Sequence, residues 1–123
     1  MNRTVAVIGA SSERHKYGNK AVRAFREEGY TVIPINPAEP EVEGIRAYAS
    51  VLDVPGTIDM ATLYVSPDLG ERLLPEFEQK KIPEIWVNPG AESETLLADA
   101  RRRGLKVTAA CSIRGIGRLP SEF

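Results

Sequence analysis

The stretch Val5–Ala21, VAVIGASSERHKYGNKA, decides how the rest of the chain is read. It opens on an apolar run, Val5–Ile8, long enough for a strand buried on both faces. The run breaks at Gly9, passes through Ala10, Ser11 and Ser12, and regains helical periodicity near Gly18. A strand, a glycine turn and a helix start make up the phosphate-binding unit of doubly wound α/β folds. Backbone N–H groups and the positive end of the helix meet an anion there.

Outward from this unit, strands and helices alternate. Ala21, Val22 and Phe25 recur at helical spacing, and Gly29 is the expected stop. Tyr30–Ile35 reads as a second strand, with Pro34 pointing to a strand end or an irregularity. Asn36–Gly44 reads as a Pro- and Glu-rich loop, Ile45–Tyr48 as a short extended piece, and Ser50-x-x-Asp53 as the cap of a single helical turn. Ile58–Val65 is the third strand. Ser66-Pro67-Asp68 is an N-cap, a proline at the first helical position and an acid in the first turn. Pro75 predicts a kink or restart in that helix. Ile85–Val87 is the fourth strand, Ser93 caps a helix that Gly104 closes, and Leu105–Ala109 is the fifth strand. The tail from Cys111 to Phe123 reads as irregular.

This alternation predicts one domain over residues 1–123, a Rossmann-like, doubly wound, five-stranded parallel sheet of order 3-2-1-4-5. The ligand crevice is then expected at the carboxyl ends of strands 1 and 4. Gly9–Ser12, Asn36-Pro37, Ser66-Pro67, Asn88-Pro89-Gly90 and Ala110–Ser112 all arrive there.

Composition narrows the partners. The chain has 123 residues with 16 Lys and Arg against 17 Asp and Glu, a net charge of −1 that gives no general affinity for nucleic acid or an acidic membrane. No apolar run approaches the ~20 residues of a membrane span, and the N-terminus lacks a signal pattern, so a cytoplasmic protein, monomeric or in a small homo-oligomer, is expected. Cys111 is the only cysteine, which excludes an internal disulfide.

The loop is only a fragment of the dinucleotide fingerprint G-x-G-x-x-G: Gly9 takes the first position, but Ser11 and Arg14 take the other two. A turn capped by serines for its own helix would use the same residues. Lys16 and Lys20 lie at a helix N-terminus, where the dipole favours anions, and an anionic ligand nearby explains them. At the end of the second strand an NAD site wants an acid for the ribose 2′-OH, whereas this chain has Asn36-Pro37. Trp86, Tyr64 and Cys111 read as core, and Asp59, Asp68 and Asp99 make no metal-spaced cluster. No catalytic constellation emerges.

Taken in order, VAVIGASS, KYGNKA, GYTVIPINP, LYVSP, IWVNPGAES and AACSI resemble the small single-domain CoA-binding proteins, whose fold is that of the N-terminal domain of succinyl-CoA synthetase α subunits. The resemblance covers nearly the whole chain. It implies a pocket for coenzyme A or an acyl-CoA, with Gly9, Ala10, Ser11 and Ser12 at the pyrophosphate. It further implies Asn36 and Pro37 beside the adenosine, and Val65, Ser66, Pro67, Asn88, Pro89 and Gly90 along the other side. By their position, Lys16 and Lys20 are the expected partners of the phosphate charge. In related domains a basic residue just past the Asn-Pro turn can meet the ribose 3′-phosphate, whereas this chain has the acidic Ala38–Glu41 there. The resemblance covers only the binding half of the synthetase, so ligase activity does not follow from it. The expected function is non-catalytic binding of CoA or an acyl-CoA, with a small-molecule nucleotide as partner and any protein partner unidentified. The alternatives are an NAD(H) or other nucleotide sensor, or a redox protein using Cys111 with the CoA thiol.

Overall fold

The computed structural model describes residues 3–123; the first two residues of the expected 1–123 domain lie outside it. Five parallel strands form the central sheet: β1 (Thr4–Ile8), β2 (Thr31–Ile35), β5 (Met60–Leu63), β6 (Glu84–Val87) and β7 (Lys106–Ala109). They lie in the order β2-β1-β5-β6-β7. β3 (Glu41–Val42) and β4 (Ile45–Arg46) form a separate antiparallel ribbon inside the segment expected as loop.

The expected fold class, α/β with a Rossmann-like parallel sheet, is the one found. A single parallel bridge sets Tyr48 outside β2 at Ile35. Counted outward from that bridged piece, the chain order is third, second, first, fourth and fifth up to β6, with β7 beyond; the bridge is one residue pair, and the sheet itself keeps its five strands. The identity of the third member differs from expectation. Ile58–Val65, read as the third strand, is β5 and pairs with β1 in the register Val5↔Met60 to Ile8↔Leu63, while the Tyr48 piece occupies the outer place.

β1 shows why the strands read as unbroken apolar runs. Val5 and Val7 pack with Ala21, Val22 and Phe25 of helix α1 (Tyr17–Glu27) on one face. Ala6 and Ile8 belong to the opposite face, with Leu74 and Phe77 of α2 (Pro67–Gln79) and Leu96 and Ala100 of α3 (Glu94–Arg102). Both faces are covered, so alternation disappears. Each large side chain buried here stabilises the fold by roughly 1.5–3 kcal/mol.

The caps fall where the sequence puts them. Ser66 Oγ accepts from Leu69 N–H at 3.3 Å and Ser93 Oγ from Leu96 N–H at 3.0 Å, while Ser50 caps a single 3-10 turn, Val51–Asp53. Gly29 and Gly104 follow their helices at φ +88° and +80°. Pro34 sits on the edge strand β2 with its imide nitrogen away from β1: Thr31 N–H donates to Arg3 O, whereas Asn36 N–H, on the opposite parity, donates to Tyr48 O. A missing donor costs little there.

Two expectations are corrected. α2 runs unbroken through Pro75, without a restart, because Leu74 and Phe77 on either side are anchored in the core. The tail is not irregular. It forms α4 (Ser112–Gly115) and a 3-10 turn at Pro120–Glu122. Ile113 is fully buried, and Arg118 ties the tail to Glu27, Glu28 and Glu122 at 3.0–3.1 Å.

Candidate functional site

The connection from β1 leaves on the α1 face and that from β5 on the α2 face. The carboxyl ends of these neighbouring strands therefore open a crevice at the topological switch point. Gly9, at φ +87°, begins the loop there, and a Cβ on it would lie 2.5 Å from Tyr64 O. Gly18 faces the same loop from α1, where a Cβ would lie 2.3 Å from Gly9 O. Two glycines thus let loop, strand and helix end meet, the service that the full fingerprint obtains at closer spacing. Gly18 escaped the sequence reading because it stands nine positions after Gly9, outside G-x-G-x-x-G.

The loop is braced from outside. Asn36 Nδ2–H donates to Ala10 O at 2.8 Å, and Asn36 Oδ1 accepts from Ala38 N–H at 2.7 Å. Asn19, fully buried, donates to Ser11 O at 2.8 Å and to Glu43 Oε2 at 3.0 Å. Those hydrogen bonds draw loop carbonyls away from the rim. Ser12 turns its donors to an anion of the protein itself: its N–H donates to Glu39 Oε2 at 2.7 Å and its hydroxyl to Glu39 Oε1.

α1 also differs from the other long helices at its start. Its N-cap, Lys16, makes no side-chain cap, and its first turn carries no acid. α2 and α3 each have a serine cap and an acid, Asp68 and Glu94. Lys16 Nζ lies 2.7 Å from Glu13, which raises the lysine pKa, with Glu39 adding to the shift from farther off. Lys20 Nζ lies 5.3 Å from the centre of the Tyr17 ring.

Two clefts flank the loop on the α2 side. One, of about 270 Å³, is walled by Ile8, Ile35, Val51, Leu69, Leu73 and Phe77, with Gly9, Asn36, Pro37 and Val65 at its margin. Ser50 and Glu76 add a polar pair to its wall, the serine hydroxyl donating to the carboxylate at 2.6 Å. The second, of about 260 Å³, runs between Val65-Ser66 and Pro89–Ala91. A third, of about 230 Å³, lies beside Tyr17, Asn88, Pro89, Cys111, Arg114 and Pro120. Of the residues expected at the site, Gly9, Asn36, Pro37, Val65, Ser66, Asn88, Pro89 and Gly90 border one or more clefts. Ala10 is buried beneath the loop, Ser11 and Ser12 form its turn, and Pro67 opens α2. Val51, Leu69 and Leu73 carry no sequence signal for a site, since apolar residues at helical spacing read as core, and Ser50 reads only as the cap of its turn.

Beneath the rim lies a closed polar network. Asn88, 2% exposed, donates to Thr62 Oγ1 at 2.7 Å and to Leu63 O at 2.8 Å, and accepts from Ser112 N–H at 2.9 Å. The Ser112 hydroxyl is 2.7 Å from Thr62 Oγ1 and 3.2 Å from the Tyr64 hydroxyl. Burial pushes the Tyr64 pKa up to about 12 against the opposing effect of Ser112, so the phenol is neutral at pH 7. Tyr64 and Trp86 are half-buried against the α1-side core, as is Cys111.

The comparisons with known proteins agree with this geometry. The CoA binding domain family matches residues 3–114. The chain is 34% identical over 94 residues to the alpha subunit of ADP-forming acetate–CoA ligase II from Pyrococcus furiosus, spanning 76% of this chain but only 21% of that subunit. It is similar to the solved structure of a hypothetical protein from Pyrococcus horikoshii OT3, with a TM-score of 0.88 and 30% identity over 92% of this chain and 80% of the other. A conserved hypothetical protein from Pyrococcus furiosus has a TM-score of 0.82 and 30% identity, covering 98% of this chain and 99% of its own. With its glycine loop at the switch point and a match over residues 3–114, the chain belongs to the CoA binding domain family.

Proposed function

We propose that this protein holds coenzyme A or an acyl-CoA, without transforming it, across the carboxyl rim of its sheet. The observation that carries the reading is the loop Gly9–Ser12 set against the uncapped, acid-free start of α1, with Ser12 already hydrogen-bonded to a carboxylate. Such a nest takes a phosphate oxygen as readily as a carboxylate oxygen. The diphosphate lies on the loop, with Lys16 and Lys20 beside it. The adenosine enters the apolar cleft of about 270 Å³ at Asn36-Pro37, a volume suited to a heterocycle rather than to the whole ligand. The pantetheine arm follows Val65–Pro67 toward Asn88–Gly90.

Both polar ends of the Asn36 side chain are engaged within the protein, and it carries no carboxylate to accept from both hydroxyls of the ribose diol of NAD. Among the described residues, the hydroxyl–carboxylate pairs at the rim, Ser12 with Glu39 and Ser50 with Glu76, are joined by no hydrogen bond to a histidine or cysteine, and we read the site as one for binding. Ligase activity belongs to proteins of which this chain matches less than a third, such as 21%, 16% and 29% of three acetate–CoA ligase chains.

Calorimetric titration with CoA, dephospho-CoA, NAD and ADP tests the reading. CoA species are expected to bind, and Ser12→Ala combined with Lys16→Ala to weaken them, most at low salt. Binding of NAD with no response to any CoA species would sink it.

A further inference from the structure

The carboxylate that marks the loop as an anion site, Glu39, makes a two-pronged contact at the rim whose own role the function proposed above leaves open. The carboxylate comes from 27 positions along the chain and meets the Ser12 N–H with one oxygen and the Ser12 hydroxyl with the other. We infer that Glu39 is a specificity-determining residue, an intramolecular stand-in for a phosphate group that the diphosphate of a ligand must displace from Ser12.

The segment that carries Glu39 is pinned on both sides. Before it, Ala38 N–H donates to Asn36 Oδ1 at 2.7 Å, and Asn36 in turn holds the loop at Ala10 O. After it, Glu43 is held by Asn19 Nδ2 at 3.0 Å, and its carbonyl accepts from Arg26 at 2.9 Å. The β3–β4 ribbon fixes the return of the chain, with Glu41 opposite Arg46. Glu39 is therefore presented to Ser12 by a braced turn, and releasing it needs a change of side-chain rotamer rather than movement of the backbone.

The chemistry favours a particular class of ligand. Hydrogen bonds from an N–H and a hydroxyl to an ionised oxygen are charge-assisted, and phosphate and carboxylate compete for the same two donors. A monoanion gains little by replacing one carboxylate with another. A diphosphate brings more charge and further oxygens for the α1 N-terminus and Lys16, which the Glu39 side chain cannot reach from Ser12 in the same way. The displaced carboxylate is free to turn to solvent, Ser12 itself being exposed. Where the open form is about one-tenth of the population, apparent affinity is lowered about tenfold relative to a chain without the clasp.

Glu39 has this role in CoA binding only if the loop takes the diphosphate as proposed above, so the test uses two probes. CoA and inorganic pyrophosphate are titrated calorimetrically into the wild type, Glu39→Gln and Glu39→Ala, with circular dichroism to show that each variant is folded. Glu39→Gln keeps the size of the side chain and removes its charge, which guards against collapse of the turn in Glu39→Ala. The expected result is binding of both probes about tenfold tighter in the variants. If the wild type binds CoA and both variants bind it equally well or more weakly, the role of Glu39 is overturned and the CoA reading stands. If pyrophosphate binds more tightly to the variants but none of the three proteins binds CoA, the displacement holds and the CoA reading falls. If neither probe binds any of the three, both are overturned.

Discussion

Asn88→Ala separates a residue that builds the site from one that touches the ligand. The family resemblance puts Asn88 at the pocket wall, but its side chain is spent on three hydrogen bonds to Thr62, Leu63 and Ser112, at 2.7–2.9 Å and 2% exposure. Alanine removes all three and leaves the Ser112 N–H and the Leu63 carbonyl without these partners. At about 1 kcal/mol for each bond lost, and more for a buried donor left unpaired, the expected loss of stability is about 3 kcal/mol. With an unfolding entropy of about 2.1 cal/mol/K per residue, that lowers the midpoint of a chain this size by about 12 °C. Urea and thermal unfolding followed by circular dichroism measure it. Ser66→Ala is the comparison: it removes one exposed cap bond of 3.3 Å and is expected to cost about 1 kcal/mol. If Asn88→Ala costs no more than Ser66→Ala but weakens CoA binding, its side chain faces the ligand and the network has been misread.

Other expectations follow from the same geometry. Gly18→Ala sets a Cβ 2.3 Å from Gly9 O, a backbone atom that cannot step aside, so α1 must retreat from the loop. A loss of about 1–3 kcal/mol is expected, with weaker CoA binding, and unchanged unfolding and affinity would refute the close approach. Glu43 gives a pH signature. Its pKa is held below the usual 4.5 chiefly by the Asn19 hydrogen bond and then by Arg14, Arg23 and Arg26, against its partial burial. A carboxylate depressed in the folded state adds stability above its unfolded pKa and loses it as pH falls through the folded value. Glu43→Gln is therefore expected to lower the urea midpoint at pH 7 and to approach the wild type at pH 3. An equal difference at both pH values would show that charge is not what Glu43 supplies.

How much was legible depended on range along the chain. Ser66, Ser93 and Ser50 cap their turns because a cap is decided within four residues, and the sequence carries it in full. The restart expected at Pro75 is absent because helix propensity is local, whereas the packing of Leu74 and Phe77 that holds α2 together is not. The tail was underestimated for the same reason: four residues make a poor helix alone, but Ile113 has the α1 face to bury against. At the site, the residue types at the rim could be read, but the directions of Asn36, Asn88 and Glu39 could not. Each makes its decisive contact with a residue 24 to 27 positions away.

The sequence by itself determined the alternation of strands and helices, the glycine turn after β1 and the family. Apolar periodicity, caps and motif spacing are properties of neighbouring residues. Only the tertiary structure decided that Met60–Leu63 lies against β1, that Gly18 rather than a fingerprint glycine closes the loop on its helix, and that Glu39 sits on Ser12. Parallel pairing and side-chain contacts across the rim join segments far apart in the chain, and no local preference encodes which partner each will find.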